Sequence, residues 1–156
     1  MDNQDNINTI TKLIGTDINN YTITKYISSG SFGDVFEAKN KRTGELVALK
    51  IPIKNDERDG QKSLIEEAAI YNKIMSRENG IAEMKIIKDN ENDRKIIVMD
   101  LLGPSLESLL EKHKKIAMKT IVLLAVTMID IIKHVHNHGY IHRDINQIIL
   151  LLDTKI

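Results

Sequence analysis

The hydrophobic pattern of this chain changes once, at Gly103-Pro104, and that change limits the folds it can adopt. Before the break, five short runs rich in β-branched and aromatic residues predict strands, with one helical run between the third and the fourth. After the break, the pattern predicts a short helix capped by Ser105 and a long helix over about 118–137. This order predicts an α+β fold, in which a small lobe with a five-stranded antiparallel sheet and one helix precedes the first helices of a larger helical lobe.

The same pattern divides the chain into three segments. Residues 1–20 are polar and rich in Asn, so we expect a flexible lead-in. Residues 21–102 form the predicted small lobe. Residues 103–156 form the exit from that lobe and an incomplete helical lobe.

The composition excludes several classes of function. The 22 basic and 22 acidic residues balance, so no overall field favours nucleic acid or an anionic membrane. The absence of cysteine excludes disulfides and thiolate metal sites. Lys119, Asp130 and Lys133 interrupt the longest apolar stretch, which therefore predicts a buried helix rather than a membrane span. The N-terminus does not resemble a secretory signal, so a cytoplasmic or nuclear location is the default expectation.

A glycine-rich segment joins the first two predicted strands, Ile27-Ser28-Ser29-Gly30-Ser31-Phe32-Gly33-Asp34-Val35. Glycine lets a backbone approach phosphate oxygens closely or adopt a positive φ. The segment is similar to the phosphate-covering loop of protein kinases, Gly-x-Gly-x-x-Gly-x-Val, with Ser28 at the first glycine position. By itself it is equally typical of a hairpin turn.

The third predicted strand ends in Val47-Ala48-Leu49-Lys50, which resembles the Val-Ala-Ile-Lys of protein kinases. Lys50 follows Gly33 by seventeen positions, a spacing that suits a strand, a turn and a strand. A lysine at the inner end of a buried strand needs a fixed anionic partner, such as a nucleotide phosphate and a helix carboxylate. The alternative is an ordinary surface lysine at a strand end.

The inserted helix is predicted over 63–76, after a charged loop at 55–60. Ser63 would cap it, and Glu66 would complete a capping box. Its apolar face is set by residues at helical spacing: Leu64, Ala68 and Tyr71. On that face Glu67 is the better candidate to meet Lys50, with a solvated surface glutamate as the alternative.

The segment between the two predicted lobes carries the most specific resemblance. The run from Met99 to Glu107, Met-Asp-Leu-Leu-Gly-Pro-Ser-Leu-Glu, is similar to the hinge of casein kinase I, a family of serine/threonine protein kinases. The glycine-rich segment also resembles that family, as does Glu67-Ala68-Ala69-Ile70-Tyr71 against its Glu-x-x-x-Tyr. The resemblance covers about 21–144, although the hinge run by itself also fits a loop followed by a capped helix.

The resemblance implies a protein-kinase-like small lobe that binds ATP and a protein substrate. Met99 would lie beside the adenine, and the backbone of Leu102 would bind the base. The residues implied at the ATP site are Ile27, Ser28, Ser29, Gly30, Ser31, Phe32, Gly33, Val35, Ala48, Lys50, Met99 and Leu102. Lys50 would anchor the phosphates, Glu67 would orient Lys50, and Asp144 would be the catalytic base.

The resemblance fails within the predicted catalytic loop, His142-Arg143-Asp144-Ile145-Asn146-Gln147-Ile148-Ile149. In the family, a Lys two residues after the catalytic Asp balances phosphate charge, and an Asn five residues after it binds magnesium. Here Asn146 replaces the Lys, Gln147 replaces the following Pro, and Ile149 replaces the Asn. The chain also ends before any Asp-Phe-Gly. We therefore expect a truncated domain that lacks magnesium ligands and does not transfer phosphate.

The form of this substitution suggests its origin. The codons AAA CCA GAT AAT encode Lys-Pro-Asp-Asn, and deletion of one A gives AAC CAG ATA ATT. These codons encode Asn-Gln-Ile-Ile, the sequence at 146–149. We hypothesise a frameshifted kinase gene or a sequencing error in a run rich in A and T.

A cluster of histidines follows the long predicted helix. His134 and His138 share a helix face, as metal ligands often do. No acidic or cysteine cluster in the sequence completes a site, and Gly139 ends the helix before His142. We therefore expect no metal site.

Three hypotheses remain. The chain is part of a casein-kinase-I-like serine/threonine kinase that has lost turnover, a non-catalytic module that binds nucleotide or a partner protein, or a remnant without function. The sequence does not indicate a particular protein substrate.

Overall fold

The computed structural model describes residues 11–30, 33–52, 57–76 and 80–143. These residues form two compact units. The first comprises the described residues up to Asn72 together with Met84–Leu101, and the second comprises Lys73–Glu83 and the described residues from Leu102 onward. The predicted catalytic loop beyond Arg143, including Asp144 and the 146–149 substitution, lies outside the described residues.

The first unit is built on an antiparallel sheet. Its strands are β1 Asp17–Ile18, β2 Tyr21–Gly30, β3 Gly33–Asn40, β4 Leu46–Ile51, β5 Met84–Asp89 and β6 Arg94–Asp100. The spatial order is β1-β2-β3-β4-β6-β5, so consecutive strands are neighbours except where β6 inserts between β4 and β5. The predicted α+β fold, with a small antiparallel lobe followed by helices, is confirmed.

The described sheet has six strands where the sequence predicted five. The additional strand, β1, pairs Asp17 with Thr22 and Ile18 with Tyr21. Ile18 is buried in the core, and the Asn19 side chain donates to the Lys88 carbonyl of β5 at 2.6 Å. Part of the segment predicted as a flexible lead-in is therefore built into the sheet.

Two apolar clusters lie on opposite faces of this sheet. The larger cluster is formed by buried residues that include Ile23, Phe36, Ala38, Leu49, Ile96 and Val98. The smaller one comprises Ala68, Met84 and Ile97, with Tyr71 and Met99 packed against it. Because side chains alternate between the faces of a strand, Leu49 and Lys50 lie on different faces.

The helix α1, Glu57–Ile74, begins earlier than the sequence predicted. The predicted start at Ser63 and its capping box with Glu66 are wrong, because Ser63 lies inside the helix. The charged residues before it show no apolar periodicity, which led to the prediction of a loop. Glu, Arg, Gln and Lys nevertheless favour helix, and one interior glycine costs only about 1 kcal/mol.

Two further helices belong to the second unit, α2 Leu106–His113 and α3 Met118–Asn137. The Ser105 hydroxyl accepts from the Ser108 N–H at 3.2 Å, which confirms the predicted cap of α2. Gly139 follows α3 at φ 81°, a left-handed conformation typical of a residue that ends a helix. The predicted bounds of both helices agree with the structure.

The apolar face of α3 is largely exposed. Among its 20 residues, all within the described part of the chain, only Val135 is buried. Met118 is 73% exposed, Ile129 64% and Val122 54%. The apolar residues do recur at helical spacing as predicted, but nothing among the described residues of this unit covers that wide face. None of the described helices is both long and apolar enough to cross a membrane.

Candidate functional site

One face of the sheet in the first unit gathers several of the predicted site residues. Val35 of β3 lies directly opposite Lys50 of β4, and Ala48 lies directly opposite Met99 of β6. Directly opposite residues share a face, and so do residues two apart on one strand. Val35, Ala48, Lys50 and Met99 therefore line a single surface, which α1 flanks through the smaller apolar cluster.

An ion pair lies at this surface. The Lys50 ammonium donates to Oε2 of Glu67 on α1 at 2.6 Å, and the Lys50 side chain is only 14% exposed. Glu66, the neighbouring carboxylate, is exposed. Glu67 is thus the partner of Lys50, which is the pairing that the apolar face of the helix predicts.

The described part of the glycine-rich segment lies at the end of the β2–β3 hairpin. Ser28 pairs with Val35, Ser29 with Asp34 and Gly30 with Gly33. The ladder shifts register between Tyr26 and Ser28, so Ile27 lies at a bulge and is exposed. Ser31 and Phe32 lie outside the described residues.

Position 33 requires glycine because there is no space for a Cβ atom, and not because of its φ angle. A Cβ at this position would lie 2.6 Å from the carbonyl oxygen of Ile51 on β4. That distance is far below van der Waals contact, so no other residue fits without moving the backbone. The close approach of β3 to β4 fixes the base of the hairpin beside Lys50.

Comparisons with known proteins decide the family. The family model described as the protein kinase domain matches residues 21–156. The chain belongs to the protein kinase family. The crystal structure of the PF14_0431 kinase domain matches with a TM-score of 0.77 at 22% identity, over 89% of this chain and 42% of that one. This likeness shows the fold, and this kinase chain spans less than half the length of that solved kinase domain.

The remaining residues predicted for the kinase site are placed differently. Leu102, predicted to bind the base through its backbone, belongs to the second unit, whereas Met99 belongs to the first. Asp144, the predicted catalytic base, lies outside the described residues. The structure therefore assembles the predicted phosphate-anchoring and base-enclosing residues of the first unit, while the roles of all these residues stay predictions.

Two residues near the site were not singled out as functional by the sequence. Tyr71 packs against the smaller apolar cluster, and burial raises its pKa, with the Glu67 and Asp100 carboxylates adding to the effect. Asp34 is buried on the opposite face of β3 from Val35, and its Oδ1 has no hydrogen-bond partner among the described residues. The Glu-x-x-x-Tyr spacing could have indicated Tyr71, but no sequence signal marks Asp34.

The described residues offer no alternative metal centre. They contain no group of three or more His, Cys, Asp or Glu side chains able to hold a metal ion. His134 Nε2 donates to the Ile74 carbonyl at 2.9 Å, and His138 Nδ1 donates to the His134 carbonyl at 2.8 Å. One nitrogen of each ring is therefore engaged with backbone.

Proposed function

We propose that this kinase-family chain binds ATP on the sheet face that holds the Lys50–Glu67 pair, as part of a casein-kinase-I-like serine/threonine protein kinase domain. The observation that carries the proposal is the ion pair itself, which holds a partly buried cation on an otherwise apolar surface. Such a cation retains binding capacity, because an ammonium has three donors and Glu67 takes one of them. Among the described residues only Glu67 engages this ammonium, which leaves two donors for phosphate oxygens.

The surface around the ion pair suits a nucleotide base. Val35, Ala48 and Met99 supply apolar side chains on the same face, and ligand sites are mostly apolar with a few fixed polar groups. The backbone of Leu102 keeps the base-binding role that the resemblance implies, and the segment from Ser28 to Gly33 is proposed to cover the phosphates.

The finer family assignment rests on the sequence resemblance. The hinge run at 99–107, the glycine-rich segment and the Glu67-to-Tyr71 spacing all favour casein kinase I. We propose on that basis a specificity for serine or threonine hydroxyls on a protein substrate. We also propose that 21–102 is the ATP-binding lobe and that 103–156 begins the substrate-binding lobe.

Magnesium does not fit the residues of this chain. The family position that binds it is Ile149, whose side chain has no donor atom, and Asn146 replaces the lysine that would balance phosphate charge. We therefore propose that nucleotide binding gains nothing from magnesium. Lys50 then supplies the positive charge that stabilises the phosphates, with Glu67 holding its ammonium in place.

Calorimetric titration of the chain with ATP tests this proposal. Binding is expected with equal affinity in magnesium and in EDTA. Loss of a charge-assisted hydrogen bond costs about 1.5–3 kcal/mol, so Lys50→Met should weaken binding roughly ten- to a hundredfold. Lys39→Met removes an exposed lysine of the same sheet and should leave affinity unchanged. Equal binding by the Lys50 and Lys39 variants would overturn the proposal.

The second candidate is a non-catalytic module that binds nucleotide or a partner protein. The Ile149 substitution favours it, because phosphoryl transfer depends on neutralising charge at the phosphates. Transfer of labelled phosphate to casein tests whether turnover remains. ATP binding without transfer supports a chain that has no turnover, as in the module, whereas transfer above that of Lys50→Met would show that the domain still acts as a kinase.

A further inference from the structure

The connection between α2 and α3 concentrates positive charge in a chain that is neutral as a whole. The 22 basic and 22 acidic residues balance over the full sequence. Between Glu111 and Asp130, however, no carboxylate accompanies the lysines. Four exposed residues make up this lysine patch: Lys112, Lys114, Lys115 and Lys119. The overall balance therefore hides a strongly basic surface on the second unit.

The lysine patch has no carboxylate partner among the described residues. None of its four ammonium groups takes part in the ion pairs found there. Exposed lysines of the first unit do pair, since Lys41 contacts Asp17 at 2.8 Å and Lys88 contacts Asp93. The charge of the patch is thus left for a partner outside the described residues.

Local structure explains only part of the lysine patch. Lys112 lies in the last turn of α2, where the helix macrodipole favours a cation. Lys119 lies in the first turn of α3, where the macrodipole disfavours one. Lys114 caps α2 at φ 59°, a left-handed conformation that glycine adopts at lower cost. Two of the four lysines are therefore placed against the local preference.

The composition around the patch indicates which class of partner it suits. Protein interfaces are enriched in Arg and aromatic residues and depleted in Lys, and single-stranded nucleic acids stack on aromatic rings. Residues 101–139 contain no Arg, Phe, Tyr or Trp. Instead Met118, which precedes Lys119 at the start of α3, is 73% exposed. Lysines beside an exposed aliphatic side chain suit an anionic lipid surface.

We propose that the lysine patch and Met118 form a docking surface for an anionic membrane. The ammonium groups contact the phosphate and carboxylate groups of lipids such as phosphatidylserine, and Met118 enters the interface between headgroups and acyl chains. Binding at such a surface is peripheral, and salt weakens it. The proposal does not depend on nucleotide binding.

Cosedimentation of the full chain with lipid vesicles tests the proposal. The chain is expected to bind vesicles that contain phosphatidylserine in phosphatidylcholine, and not vesicles of phosphatidylcholine alone. Each lysine near an anionic surface strengthens binding roughly fivefold. Replacing all four lysines of the patch by glutamine should therefore weaken binding by more than about a hundredfold.

A matched variant controls for the change in net charge. It replaces four exposed lysines of the first unit by glutamine and should bind as the parent chain does: Lys12, Lys25, Lys39 and Lys62. Met118→Ser should weaken binding roughly tenfold, because an apolar side chain no longer enters the interface. Leu46→Ser removes an exposed apolar side chain of the first unit and should leave binding unchanged.

Three results overturn the proposal: equal binding to both kinds of vesicle, unchanged binding by the patch variant, or an equal loss in the control variant. Polyglutamate and single-stranded RNA are tested in parallel, and tighter binding of either would assign the patch to another class of partner and overturn it as well. If the fourfold patch variant does not fold, Lys115→Gln with Lys119→Gln replaces it, with a loss of roughly 25-fold expected.

Discussion

At the scale of single residues, the base of the glycine-rich hairpin is defined by contacts that leave no room for variation. A Cβ atom added at Gly33 would lie only 2.6 Å from the carbonyl oxygen of Ile51. The neighbouring Asp34 is 8% exposed, and its Oδ1 has no partner among the described residues. One position is thus fixed by crowding, while the next retains an unsatisfied buried oxygen.

Gly33→Ala is expected to destabilise the protein by about 1–3 kcal/mol, the usual cost of overpacking a close-packed site. Ser29→Ala, at an exposed position of the same hairpin, should change the free energy of unfolding by less than about 0.5 kcal/mol. Urea denaturation of both variants measures the difference. Equal stability of the two would show that β3 and β4 do not approach as closely as described.

Replacement by asparagine should affect the free energy of unfolding differently at two buried positions, Asp89 and Asp34. Burial by itself would raise the pKa of Asp89, but hydrogen bonds from Asn92, Arg94 and the Glu91 N–H outweigh it and hold the pKa below its ordinary value. A lowered pKa gives stability that is present above the unfolded-state pKa and is lost as pH falls through the folded-state pKa. Asp89→Asn should therefore lower stability at pH 7 and reduce its loss in acid.

Asp34→Asn provides the contrast, because the Oδ1 of Asp34 lacks the partners that Asp89 has among the described residues. Replacing a carboxyl group whose Oδ1 makes no hydrogen bond by an amide of the same size should leave stability unchanged or raise it. Unfolding free energies of both variants between pH 3 and pH 7 check the pair. A larger loss for Asp34→Asn than for Asp89→Asn would contradict this interpretation.

At the scale of elements, sequence periodicity predicted most of the helices and strands, but it missed the start of α1 and the strand β1. The bounds of α2 and α3 follow from a capping serine, apolar spacing and Gly139. The start of α1 was missed because its first turns carry charged residues without an apolar stripe. The strand β1 was missed because two residues show no period, and only pairing with β2 defines it.

At the candidate site, features set by nearby residues could be predicted from the sequence, whereas features set by the packing of distant strands could not. The pairing of Lys50 with Glu67 could be predicted, because the apolar face of a helix determines which glutamate turns inward. The crowding at Gly33 and the unsatisfied Asp34 could not, since both depend on how strands distant in sequence pack together. The packing of Tyr71 against the smaller apolar cluster depends on distant strands as well.

Gly60→Ala tests the early start of α1. Gly60 lies within the Glu57–Ile74 helix, where glycine is less favourable than alanine by about 0.8–1 kcal/mol. The variant should therefore be more stable by about that amount in urea denaturation. Ser29→Ala, outside any helix, serves as a control for the effect of adding alanine. No gain, or a loss, would indicate that the first turns of α1 are not helical.

At the scale of the whole molecule, α3 presents an exposed apolar face that soluble proteins rarely leave uncovered. Met118, Val122 and Ile129 are each more than half exposed. Contiguous apolar surface of this kind promotes association. The isolated chain should self-associate in sedimentation velocity, and Val122→Glu with Ile129→Lys should shift it toward the 17.7 kDa monomer.

Lys119→Glu is the control for that measurement, because it changes the charge of α3 without removing apolar surface. It should leave the association unchanged. A parent chain that sediments as a monomer at every concentration, with a cooperative melt, would contradict the prediction.

The central claim is that ATP binds on the Lys50 face of the sheet, and methyl-resolved NMR titration with ATP tests it most directly. Saturable shifts are predicted for the methyl groups of Val35, Ala48 and Met99. The methyl groups of Leu49 and Ile96, on the opposite face, should not shift. Shifts confined to the opposite face, or no saturable shift in a folded chain, would contradict the account.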